Sequence, residues 1–122
     1  MKNRKHVFPL VGSFLAGVTI LAIILYVNSH SFSTEKWIKS PEKRDQIIDS
    51  FLSTYDVAGM EQKEIIDLLG ESEIEVPFKS EDNMVYYIGD DGFLGIFAID
   101  SRWLVITLSN YGVAIEVEIK TD

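Results

Sequence analysis

The side chains in this chain that could do chemistry are mostly carboxylates. Glu71, Glu73 and Glu75 alternate, so in an extended segment they share one face and offer hard oxygen donors suited to a cation such as Ca²⁺. Asp90-Asp91-Gly92 presents the same donors in a loop-like run, although turns favour these residues for backbone reasons alone. A general acid and base need two carboxylates whose pKa values are driven apart in a pocket. The 19 Asp and Glu residues guarantee chance pairs and single out none. The absence of Cys excludes a thiol nucleophile, a thiolate zinc site, a disulfide and the acceptor of a diacylglyceryl anchor. The two His, His6 and His30, lie close to the N-terminus, so a domain further along has no imidazole for catalysis or metal binding. No Gly-rich phosphate loop, nucleophile elbow or metal-spaced cluster is written in the chain. The chain therefore reads as non-catalytic, with no cofactor implied and with the glutamate run as a solvated edge.

With chemistry this sparse, charge and hydropathy carry more of the reading. The chain has 122 residues and a net charge of -8, unevenly spread. Lys2, Arg4 and Lys5 make residues 1–6 a basic tail, whereas residues 31–122 hold 8 basic and 19 acidic residues, a charge of -11. Such a domain repels phosphate backbones, so nucleic acid is not an expected partner. Basic protein surfaces or cations are more natural ones.

Residues 7–27, VFPLVGSFLAGVTILAIILYV, are 21 in number and carry no charge. As a helix they span about 31 Å, matching a hydrocarbon core of roughly 30 Å, so membrane lipid is the expected partner of this segment. Pro9 falls in the first turn, where its missing N–H costs little, and Tyr26 at the far interface. A cleaved signal peptide and an uncleaved signal anchor both fit. The apolar run exceeds the roughly 7–15 residues of a signal peptide, which favours the anchor. The basic flank places the N-terminus in the cytoplasm and exports the acidic domain across the cell membrane. Gly12 with Ala16, and Ser13 with Gly17, form small-xxx-small pairs that allow a homodimer through this helix.

Residues 28–40 read as a Ser-rich linker, in which Trp37 and Ile38 have two places to dock, the lipid headgroup layer and an edge of the following domain, the second being preferred. That domain spans 41–122. Ser40-Pro41 starts a helix, Ile47, Ile48, Phe51, Leu52 and Tyr55 form its apolar stripe, and Lys43, Arg44, Asp45 and Asp49 take its wet face. A second helix lies in Gly59–Gly70, with Ile65, Ile66, Leu68 and Leu69 buried, Glu61 as a poor cap and Gly70 as its stop. MVYYIG is a strand, Gly89–Gly92 a turn, Phe93–Ile99 a returning strand and Asp100–Arg102 a further turn.

The hairpin of RWLVITL and VAIEVEIK around SNYG sets the last register. Leu108 facing Val113 puts Ile106 against Ile115 and Leu104 against Val117, with Thr107 against Ala114, Val105 against Glu116 and Trp103 against Glu118 on the other face. The aliphatic face must pack on the two helices, giving an α+β fold of two helices on one face of an antiparallel meander of three to four strands. The opposite face carries Trp103 and Val105 beside Glu116 and Glu118, an apolar centre with an acidic edge suited to protein binding. Either this patch is open to a partner, or Trp103 is covered by the chain around Trp37 or by Phe93–Ile99.

Gly59-Met60, Glu64-Ile65 and Leu68-Leu69-Gly70-Glu71, followed by Tyr- and Trp-containing strands, resemble the SmpA/OmlA or BamE-like domain over about residues 41–120. Small membrane-anchored bacterial proteins of uncharacterised task are similar. Glu61 stands where the family has a capping Ser or Thr, Ser72 where proline is usual, and a membrane helix where family lipoproteins carry a lipidated Cys. The resemblance implies the fold of two helices against an antiparallel sheet in a bacterial cell envelope protein. The β-lactamase inhibitory proteins are similar in fold as well. The expected function is a protein-binding scaffold or modulator acting on an envelope protein; the alternatives are an exported enzyme inhibitor and a cation-responsive sensor.

Overall fold

The computed structural model describes residues 4–91 and 100–122. The chain divides into two compact units, Met1–Ser31 and Phe32–Asp122.

The first unit is one helix, α1 (Arg4–His30). Within it Val11–His30 has a mean hydropathy of 2.0 and none of it is buried. The helix is apolar on every side, and its length suffices to cross a bilayer.

The second unit is α+β. Its helices are α2 (Thr34–Lys39), a 3-10 turn (Pro41–Lys43), α3 (Arg44–Thr54) and α4 (Gln62–Leu69). They are followed by β1 (Asn83–Asp91), β2 (Asp100–Leu108) and β3 (Ala114–Thr121), an antiparallel sheet in the order β1-β2-β3. Trp37, Ile47, Ile48, Phe51, Ile65 and Leu69 from the helices pack on Met84, Tyr86, Ile88, Leu104 and Ile106 from one face of the sheet. Two layers around one core are the expected two-layer arrangement.

Several boundaries differ from those expected. Most of the linker of 28–40 is ordered helix: α1 runs on to His30, and α2 begins three residues after Ser31. The Ser33 hydroxyl accepts the Lys36 N–H at 3.1 Å, capping α2, and Lys39 bonds Glu35 at 2.7 Å one turn back. Burial of Trp37 is the larger cause, because its indole is wholly enclosed among Phe32, Phe51 and Tyr86. The folded domain therefore starts at Phe32 rather than residue 41. Ile38, expected to dock with Trp37, is 54% exposed. Ser40 makes no side-chain cap bond, and Pro41 opens a 3-10 turn before α3 starts.

Arg44 also leaves the wet face. Its guanidinium lies 4.5 Å from the Trp37 ring centre and donates to the Trp37 and Tyr87 carbonyls at 2.8 and 3.1 Å. It ties α2 to β1 at a bulge, where Tyr87 faces Trp103, Gly89 faces Arg102 and Ile88 is extra. A Cβ on Gly89 would lie 3.3 Å from the Asp45 Cβ, so glycine permits this close approach of α3.

The turns expected at 89–92 and 100–102 are not formed by Gly89–Asp91 or Asp100–Arg102, which pair with each other as the ends of β1 and β2. Asp90 is accommodated there by the Tyr87 hydroxyl at 2.8 Å and the Ser101 hydroxyl at 3.2 Å. The strand expected at Phe93–Ile99 lies outside the described residues.

The hairpin register is also corrected. Leu108 faces Ala114, after which Thr107 faces Glu116, Ile106 faces Val117 and Val105 faces Glu118. Ile115 is the extra residue of a bulge. One insertion reverses the side-chain alternation, so Ala114 is buried in the core and Ile115 stands 60% exposed.

Candidate protein-binding surface

The four residues expected to form a binding patch are split by the fold. Trp103 and Val105 do lie on the sheet face opposite the helices, but they are only 8% and 3% exposed and form a second small core with Val85. Val76 and Tyr87 pack over it, the Tyr87 ring edge-on to Trp103 at 5.5 Å. The cover thus comes partly from the connection between α4 and β1, a segment that composition marks only as loop. Burial and the adjacent Asp90 carboxylate push the Tyr87 hydroxyl up to about 12.

That connection is held along the outer edge of β1. Glu73 donates its N–H to the Val85 carbonyl at 3.0 Å, Val85 donates to the Ser72 hydroxyl at 2.8 Å, and the Glu73 carboxylate accepts the Tyr87 N–H. Ser72 and Glu73 of the acidic run therefore blunt an edge strand. Among the described residues no group of three or more His, Asp or Glu is arranged to hold a metal.

Glu116 and Glu118 remain at the surface on β3. Glu118 faces Val105, Glu116 faces Thr107, and Trp103 faces Lys120, which pairs with Glu118 at 3.4 Å. The two carboxylates are neighbours on one face of β3: Glu118 raises the Glu116 pKa, whereas Glu116 and Lys120 lower that of Glu118.

The surface left open lies at the β3 edge. An open groove of about 540 Å³ is bordered by the α3 end and its connection, Leu52 to Ala58, and by Ile115, Glu116 and Val117. Beside the hairpin tip a second groove of about 520 Å³ is lined by Glu61, Lys63, Ile66 and Tyr111, the last 93% exposed. Sequence reasoning missed Ile115 and Tyr111 as surface groups. Tyr111 lies in the SNYG turn and was legible there, whereas Ile115 depends on a bulge that alternation cannot reveal.

Comparison with protein-family models, with curated proteins and with solved structures found no match.

Proposed function

We propose that this is a single-pass membrane protein with a cytoplasmic N-terminus, whose extracytoplasmic acidic domain binds another envelope protein as a non-catalytic scaffold or modulator. The observation that carries the reading is α1, uncovered along Val11–His30, next in the chain to a separate acidic unit with its own core. The basic residues before the span support the orientation. The motif Gly59-Met60 to Glu71 and the layout of helices on an antiparallel sheet support a BamE-like fold for the domain.

Two measurements test it. Alkaline extraction of membranes is expected to leave the intact chain in the pellet, with the domain open to protease only from the outer side. Photoreactive residues belong at Tyr111 and Ile115, since Val105 is enclosed. Reproducible crosslinking to one envelope protein is expected. Recovery of the intact chain in the soluble fraction overturns the anchor, and capture of nothing but this chain overturns the partner.

A further inference from the structure

Among the described residues of the domain, the β3 edge is covered only at its start. Gly59 donates to the Ala114 carbonyl at 2.7 Å and Ala114 to the Met60 carbonyl at 2.8 Å, after which the connection turns away. Along the rest of β3, ladder alternation sets which backbone groups point inward. Asp122 donates to the Ser101 carbonyl at 3.1 Å, so Glu118 and Glu116, in phase with it, direct their backbone groups at β2. Val117 and Ile119 therefore turn N–H and C=O outward, and among the described residues neither has a backbone partner there. The groove bordered by Leu52 to Ala58 opens alongside this edge.

We infer that this edge takes up an extended basic segment of another protein by strand addition. The inference rests on the reading of the domain as a protein-binding module and supplies its mode. Charge selects the occupant: Glu116 and Glu118 stand on one face of the edge strand, Asp56 lines the groove, and the domain as a whole carries -11. Residues of the added strand opposite Glu116 and Glu118 are Lys or Arg, because cross-strand pairs of opposite charge stabilise and like pairs destabilise. Residues between them face Val117 and Ile119 and are aliphatic. A second copy fits poorly. Of the antiparallel registers of β3 on β3 that match the outward-facing residues, one opposes Glu116 to Glu118, one pairs Glu116 with Lys120 but opposes Glu118 to itself, and one pairs Glu118 with Lys120 but opposes Glu116 to Asp122, so each keeps a like-charge contact.

The test uses the full chain in phosphatidylcholine nanodiscs and a labelled heptapeptide of alternating lysine and valine, with a block-order isomer and a version N-methylated on alternate amides. Saturable binding is expected for the alternating peptide and not for the other two. E116Q/E118Q is expected to weaken it about tenfold, and hydrogen exchange at Val117 and Ile119 to slow on saturation. Absence of binding, equal binding of the N-methylated peptide, or protection confined to other amides overturns the proposal. So does a disulfide between copies of Ile119→Cys formed without peptide, which assigns the edge to self-association. If these signals fail while crosslinks from Tyr111 to an envelope protein persist, strand addition falls and the binding-module reading stands; if both fail, both fall.

Discussion

At the scale of single residues, the two tryptophans show how burial overrides a sequence neighbourhood. Trp37 sits in a polar stretch yet is fully enclosed, and Trp103 sits on the face opposite the helices yet is covered. Trp37→Ala and Trp103→Ala are each expected to cost about 3 kcal/mol or more in denaturant unfolding, the range for deleting a buried aromatic. A change within about 0.5 kcal/mol at Trp103 would restore it as an exposed anchor. The Glu116 and Glu118 pair makes a pH prediction. Glu116 holds its proton more readily in the folded than in the unfolded chain, so its contribution to stability falls as pH rises through the interval above 4.5. Glu118 holds its proton less readily, so its contribution grows with pH across the interval below 4.5 and is lost on acidification. Carboxyl NMR titration is expected to show one step on each side of the ordinary value, and Glu118→Gln to bring the Glu116 step down. Coincident steps at the ordinary value would mean the contact is absent.

At the scale of elements, α4 is the clearest case of local signals agreeing with the fold. Its apolar stripe buries Ile65 and Leu69, and its stop at Gly70 has φ 79° and ψ -173°, a region open essentially to glycine. An added Cβ there meets only Ile38 at 3.9 Å, so Gly70→Ala tests backbone strain with little steric contribution. A loss of about 1–3 kcal/mol is expected by thermal or urea unfolding. At the other end Glu61 has extended cap geometry but makes no side-chain cap bond. Glu61→Ser is expected to stabilise the domain by about 1 kcal/mol, because serine at that position reaches the N–H groups of the first turn. A loss of stability instead would assign the Glu61 side chain a role in the groove it lines.

At the scale of the whole molecule, the split at Ser31 and Phe32 predicts that the domain does not depend on the N-terminal helix for its core. Deleting the residues before Phe32 is expected to release a soluble, cooperatively unfolding domain with the melting temperature of the full chain. A drop of more than a few degrees would show that the helix contributes to the fold.

The sequence by itself determined the features that depend on local composition and period: the apolar span, the charge asymmetry, the stripes of α3 and α4, the Gly70 stop and an antiparallel hairpin around SNYG. These are near-neighbour properties, and solvent transfer or backbone sterics decide each within one or two turns. Only the tertiary structure decided the rest. Trp37 turns a tether into a helix because an aromatic cluster is there to receive it, and Arg44 leaves water because two carbonyls from distant elements meet its guanidinium. Val76 and Tyr87 close over Trp103 because the connection runs along the β1 edge. The pairing of Leu108 with Ala114 and the bulge at Ile115 together move the β3 register by two residues from the expected one, and a two-residue step keeps each side chain on its face, so alternation reads equally well before and after it. The open edge between Ile115 and Thr121, the candidate site, exists only because the chain that covers Ala114 turns away, and that depends on where the α3 to α4 connection packs.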